Sequence, residues 1–192
     1  VDEWGVWAVP SNTVNNEIDE KPWQIAPAIS EQIYTLEDAL LFAEMQMVII
    51  RNADAIKIAC QSLLTNISAC IMTEKGGGHW LQTIYYPFYY FANYAKGIVL
   101  NVSSTGPVYD CKEFNNVPYV DSIVVWNDED GELVFFAVNR DEDNKQKVSL
   151  QLSDFEVDSV IESIGMTAAD KKMTNQFQHD AVKPETVDNV KL

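Results

Sequence analysis

Apolar residues in this chain follow two rhythms, and the change from one to the other divides it. From Tyr34 the period is helical: Leu36, Ala39, Leu40, Ala43, Met47 and Ile50 recur on one face, and Thr35 with Asp38 reads as a capping-box variant. Asn52-Ala53-Asp54 can break and recap this helix. Ile56, Ile58, Ala59, Leu63 and Leu64 continue the apolar positions, so a second helix is predicted. Both have wide apolar faces, as expected of helices packed on a sheet. Ile67 to Met72 reads as a short buried strand, and Gly76-Gly77-Gly78 as a flexible loop at its C-terminal end. Ile84 to Ala95 is predicted as an aromatic helix, with Pro87 tolerated in its first turn and Gly97 as its C-cap.

After Gly97 the period becomes two. Strands are predicted at Ile98–Val102, Tyr119–Trp126 and Leu133–Asn139, the last two joined across 127–132, where Asp130-Gly131 is a hairpin signal. Val148–Leu152 and Val157–Ile164 add two more, and a further strand begins at Val187. At the other end, Val1 to Trp7 suits a buried strand end, and 8–30, carrying Pro10, Pro22 and Pro27, is a long loop of the kind that is often functional. The predicted architecture is α/β up to about Gly97, then an antiparallel β module, with no internal repeat or low-complexity tract.

Composition narrows the function. The 192 residues are 47% hydrophobic, enough for one domain or two small ones. A net charge of −16 argues against nucleic acid and against an anionic membrane surface, and suits a neutral ligand such as a glycan. No apolar run reaches membrane-spanning length. The start has no basic n-region and so no signal peptide; beginning inside a strand, it reads as a fragment of something longer. Cys60, Cys70 and Cys111 form no CxxC; Cys60 and Cys70 read as small core residues, and a reducing compartment is the simpler inference. Asn66-Ile67-Ser68 and Asn101-Val102-Ser103 match a glycosylation tripeptide that is frequent by chance.

Four features could carry chemistry. The glycine run lacks the Lys-Ser or Lys-Thr of a phosphate loop. Residues 127–132 lack the register and distal Glu of a calcium loop. His79 and His179 stand alone, without partners at metal spacing, so neither a metal nor a cofactor is expected. That leaves Asp2-Glu3 between apolar and indole side chains. A carboxylate is costly to bury there unless paired or in use, and flat indoles suit the apolar face of a sugar ring.

Four stretches, in this order over nearly the whole chain, resemble glycoside hydrolase family 51, the α-L-arabinofuranosidases. They are Asp2-Glu3-Trp4-Gly5-Val6-Trp7; Leu36-Glu37-Asp38-Ala39-Leu40 running into Ile50-Arg51-Asn52-Ala53-Asp54; Trp80-Leu81-Gln82-Thr83-Ile84-Tyr85-Tyr86-Pro87-Phe88; and Gly131-Glu132-Leu133 through Phe136-Ala137-Val138-Asn139-Arg140. The resemblance implies α/β followed by all-β: residues 1–97 as the last two βα units of a (β/α)8 barrel, and 98–192 as most of a jelly-roll-like antiparallel β-sandwich. Val1–Trp7 would end the seventh strand, and Ile67–Met72 would be the eighth. Barrel active sites lie at such strand ends.

The resemblance also implies roles. Glu3 matches the catalytic nucleophile of a retaining mechanism, which forms a covalent glycosyl-enzyme. Trp7 matches an aromatic at the substrate subsite, and Gln82 a residue that hydrogen-bonds the sugar or the nucleophile region. A loop-capping amide is the plain alternative for Gln82, and simple packing for Trp7. The implied partner is an arabinose-containing oligosaccharide or polysaccharide, and the implied parent a cytoplasmic, homo-oligomeric enzyme. Two departures stand out. Gly5 replaces an Asn usual after the Glu-Trp pair, and the Gly-Asn-Glu motif of the acid/base glutamate is absent; Asn16-Glu17 and Thr73-Glu74 only imitate it. The fragment alone is therefore expected to be inactive. Two rival readings remain: a non-catalytic β-rich carbohydrate-binding or interaction module, and a related retaining glycosidase acting on another sugar.

Overall fold

The computed structural model describes residues 1–7 and 31–188, with 23, 25, 27, 190 and 191. The predicted loop at 8–30, with Asn16-Glu17, lies almost wholly outside the described residues.

Helix α1 (Leu36–Arg51) begins where its capping box predicts. Thr35 Oγ1 accepts from the Asp38 N–H, and the Asp38 carboxylate accepts from the Thr35 N–H at 2.8 Å. Glu37 and Asp38 in its first turn and Arg51 in its last complement the helix dipole. Ala39 and Phe42, with Met45 and Ile49, join one apolar cluster; Ala43 and Met47, with Leu40 and Ile50, join another. The helix is a wall shared by two cores.

The second predicted helix does not form. Residues 52–55 make turns, and the chain then runs out to a parallel bridge between Trp4 and Gln61. The Trp4 N–H donates to the Cys60 carbonyl and the Ser62 N–H to the Trp4 carbonyl, each at 3.0 Å. β-Branched Ile56 and Ile58 suit extended chain as well as helix, and the N-terminal segment supplies partners that a helix would exclude. Trp4 and Gln61, on either side of α1 in the chain, thus meet in an isolated parallel bridge. The parallel neighbour of the N-terminal segment is Cys60–Ser62, where the sequence had pointed to Ile67–Met72. In this extended segment Cys60 is exposed, against the expectation of a core residue, whereas Cys70 is buried.

The strand expected at Ile67–Met72 is shorter and shifted. It is β1 (Ile71–Thr73), paired antiparallel with β2 (His79–Leu81). The glycine run closes this hairpin, with Gly76 and Gly77 at positive φ. Helix α2 (Tyr85–Tyr94) follows, with Pro87 in its first turn. Gly97, at φ 113°, sits so close to Trp126 that an added Cβ would overlap its carbonyl. Only glycine meets both conditions.

The second half is all-β. It holds β3 (Ile98–Leu100), β4 (Val108–Tyr109), β5 (Val117–Pro118), β6 (Val120–Asn127), β7 (Glu132–Asn139), β8 (Ile164–Met166) and β9 (Pro184–Thr186). One antiparallel sheet runs β3-β6-β7; β4-β5 and β8-β9 are separate two-stranded ribbons. The β6–β7 hairpin turns at Gly131, which takes φ 70°. Ile123, Val125 and Val138 pack with Ala43 and Met47 of α1 and with Phe91 of α2, whose ring stacks on Phe136 at 4.2 Å. The strand expected at Val148–Leu152 is absent, and of that expected at Val157–Ile164 only Ile164 is in a strand, as the first residue of β8. Residues 148–163 lie in no strand, and Val148, Leu150, Val157, Val160 and Ile161 are exposed. Alternation records which way side chains point, and without a neighbouring strand it does not make a ladder. β9 ends at Thr186, just before the strand expected from Val187.

Charged groups lock α1 onto the sheet. Arg140 pairs with Glu44 and, at 3.2 Å, with Asp121; Arg51 also pairs with Asp121. Glu44 is pushed above the usual carboxylate range by burial, which outweighs the pull of Arg140. Burial acts the same way on Asp121, but Arg51 and its other partners prevail and hold it below its usual range.

Candidate active site

The N-terminal segment is part buried and part open. Trp4 points inward, 6% exposed, with its ring 5.3 Å from Phe42 and 6.3 Å from Phe88. The residues on either side of it are more open. Glu3 is exposed there, and its carboxylate accepts from the Ser62 hydroxyl at 2.7 Å. Trp7 is half-exposed, and its indole lies over Gly5, where an added Cβ would stand 3.3 Å from the ring. An exposed carboxylate and a half-exposed indole thus lie on either side of Gly5 in the chain. That arrangement can present a nucleophile beside an apolar platform.

Gln82 lies inside the fold, 1% exposed. Its side-chain carbonyl accepts from the Tyr34 N–H at 2.9 Å, and its amide donates to the carbonyls of Gln32 at 2.9 Å and Ala69 at 2.8 Å. Both amide hydrogens are therefore engaged within the chain. The link from Gln82 to the Glu3–Trp7 segment runs through Tyr34, whose hydroxyl donates to the Val6 carbonyl at 2.9 Å. Burial pushes the Tyr34 phenol up to about 12, partly offset by a hydrogen bond with Ser68.

Sequence reasoning missed Ser62 and Tyr34. Ser62 was hidden by the helical reading of 52–64. Tyr34 carried a usable signal: it precedes the N-cap, and both it and Ala39, four residues into α1, join one cluster, the positions of a hydrophobic staple.

Two recesses flank α1. One, of about 520 Å³, is lined by Arg51, Asp121 and β3 residues; the other, of about 360 Å³, is apolar and includes Trp4, Leu41 and Val48. Neither is lined by Glu3, Trp7 or Gln82. Among the described residues no three His, Cys, Asp or Glu side chains group to hold a metal ion. Among them, too, no helix is long and apolar enough to cross a membrane.

Residues 2–192 match the family model described as the alpha-L-arabinofuranosidase C-terminal domain. Among curated proteins, the chain is 42% identical over 175 residues to an intracellular exo-alpha-(1->5)-L-arabinofuranosidase of Halalkalibacterium halodurans, covering 91% of this chain and 34% of that protein. It is 41% identical to a Bacillus subtilis enzyme named likewise, covering 97% of this chain and 36% of that one. The chain therefore spans about a third of the length of these relatives. Among solved structures, a family 51 alpha-L-arabinofuranosidase from Bifidobacterium longum superposes with a TM-score of 0.83 at 27% identity, over 97% of this chain and 36% of that one. The GH51 arabinofuranosidase of Xanthomonas axonopodis pv. citri gives 0.79 at 25% identity, with shares of 97% and 35%. The likeness spans the sandwich-like β half.

Proposed function

We propose that this chain, which belongs to the alpha-L-arabinofuranosidase C-terminal domain family, is the C-terminal portion of a retaining α-L-arabinofuranosidase that removes terminal non-reducing arabinofuranosyl residues from arabinose-containing glycans. The observation that supports this reading is the parallel bridge of Trp4 with Gln61, beside which Glu3 is exposed and bonded to Ser62 and Trp7 is half-exposed over Gly5. A parallel bridge across an intervening helix fits the last units of a (β/α)8 barrel, with residues 1–97 as the barrel part and 98–192 as the β module. In that barrel Cys60–Ser62 would take the place of the eighth strand.

Glu3 attacks the anomeric carbon and forms a glycosyl-enzyme while the leaving oxygen takes a proton from a second carboxylic acid about 5–5.5 Å away. That same residue then deprotonates the water that releases arabinose. The second acid comes from a part of the longer polypeptide outside these residues, as does the rest of the enclosure around the sugar. Trp7 offers its indole to the sugar, and Gln82 orders the site from within. The enzyme works in the cytoplasm, a reading supported by relatives named intracellular, and as a homo-oligomer that covers part of the exposed apolar surface.

The test is Glu3→Ala in the full-length enzyme. Turnover of an aryl arabinofuranoside should fall by several orders of magnitude, since the covalent step is lost, and azide should restore part of it as a substitute nucleophile. Near-wild-type turnover in that variant would remove Glu3 from the site.

A further inference from the structure

We infer that Tyr34 and Gly5 are positioning residues that together set the pose of Trp7, and through it the fit of the sugar beside Glu3; this rests on the site proposed above. Three observations meet here. The Tyr34 hydroxyl donates to the Val6 carbonyl at 2.9 Å, fixing the peptide that leads into Trp7. Tyr34 itself has little freedom: it is 3% exposed, its ring stands edge-on to Phe42 at 5.8 Å, and its N–H is held by Gln82. On the other side, the Trp7 indole rests on Gly5, where the nearest ring atoms would stand 3.3, 3.5 and 3.6 Å from any added Cβ.

The two devices act on different parts of one residue. Tyr34 sets the direction of the backbone entering Trp7; Gly5 leaves the room that its ring takes up. The indole is half-exposed, so its pose is sensitive to both devices. A stacking surface acts on bound substrate and transition state alike, so an error in its pose should appear in KM more than in kcat. Gln82, which accepts from the Tyr34 N–H and not from its hydroxyl, reaches the Val6 carbonyl through this tyrosine.

The experiment is a double-mutant cycle in the full-length enzyme with an aryl arabinofuranoside. Tyr34→Phe deletes one hydroxyl and keeps the ring that packs on Phe42. It should raise KM about 2- to 10-fold, the range of one neutral hydrogen bond, with kcat within about twofold. In a Trp7→Ala background it should raise KM no further, because the side chain being posed is gone. Gly5→Ala, which adds one methyl under the indole and leaves the buried core untouched, should behave the same way, with an unchanged melting temperature. A merely structural Tyr34 would instead lower the melting temperature and act equally with and without Trp7. Additive effects, or an unchanged KM in both single variants while Trp7→Ala raises it, overturn the inference and leave the site standing. An unchanged KM in Trp7→Ala itself overturns both at once.

Discussion

Helix α1 meets two partners, and they hold it in different ways. On one side the β3-β6-β7 sheet presents Ile123, Val125 and Val138, ordered by a continuous antiparallel register and fastened by Arg140, Glu44, Asp121 and Arg51. On the other, the segment carrying Glu3 and Trp7 is attached by the parallel bridge of Trp4, the bonds of Val1 to Ile58 and Cys60 and of Glu3 to Ser62, the packing of Trp4 on Phe42 and Phe88, and the hydroxyl of Tyr34. The sheet is over-determined, so losing one contact leaves its register intact. The segment depends on a few directional bonds, so single atoms there should matter. The largest effect expected is at Phe42, fully buried between Trp4 and Tyr34. Phe42→Ala should cost about 3–5 kcal/mol, and the like truncation on the sheet side, Phe91→Ala, should cost less, because Phe91 is less fully buried and the sheet register holds without it. Denaturant unfolding of both variants checks this. Equal costs would mean the two sides are not held differently.

Next in size is Gly97, where α2 hands over to the sheet. A side chain there faces both φ 113° and the Trp126 carbonyl. Gly97→Ala should cost about 1–3 kcal/mol from backbone conformation alone, and the overlap with Trp126 adds to it. Amide exchange should quicken along β3 and β6 while the Trp4 bridge keeps its protection. Uniform loss of protection would show that the two sides unfold as one unit.

The ionic clasp sharpens the comparison through pH. Asp121 is held below its usual range in the folded protein, so the stability it adds is present above its unfolded pKa of about 3.9 and is lost as pH falls through its folded value. Asp121→Asn should cost about 1–2 kcal/mol at neutral pH, between exposed and buried pairs because Arg51 is about a third exposed. Its acid-unfolding curve should also be flatter below about pH 4 than the wild type's. A variant with the wild-type acid limb would show that the clasp does not report on Asp121.

What the sequence reveals follows the same division. The Thr35 capping box and the β6–β7 hairpin are local, so a few adjacent residues specify them, and the structure has both. The parallel contact of Trp4 with Gln61 joins residues far apart in the chain, and Ile56 to Leu64 fit a helical period as readily as an extended one. Residues 148–163 alternate well yet find no partner strand, a property of the surroundings that alternation does not encode. In the site, Glu3 and Trp7 were visible because a motif of adjacent residues carries them. Tyr34 was not, since its acceptor is a backbone carbonyl, a group that every residue has. The interior setting of Gln82 was hidden for the same reason: its three partners are backbone groups of Gln32, Tyr34 and Ala69.

The smallest effect expected falls on Thr35, which touches both sides. Its hydroxyl caps α1 by accepting the Asp38 N–H, and its carbonyl accepts the Thr83 hydroxyl at 2.7 Å just before α2. The second bond uses the backbone and survives substitution, so Thr35→Ala should lose only the cap, about 1 kcal/mol, or roughly 2–4 °C in melting temperature for a chain of this size. Thr35→Ser keeps the oxygen and should recover nearly all of it. Because Leu36 and Glu37 also donate their N–H groups to the carbonyls of Met173 and Lys171, the first turn should fray without detaching, and the Tyr34–Val6 bond next to it should hold. The arabinofuranoside KM of Thr35→Ala should therefore stay at the wild-type value while stability drops. If KM rose along with the loss of the cap, the site segment would draw its pose from the helix start, and the independence argued for Tyr34 would fail at its nearest neighbour.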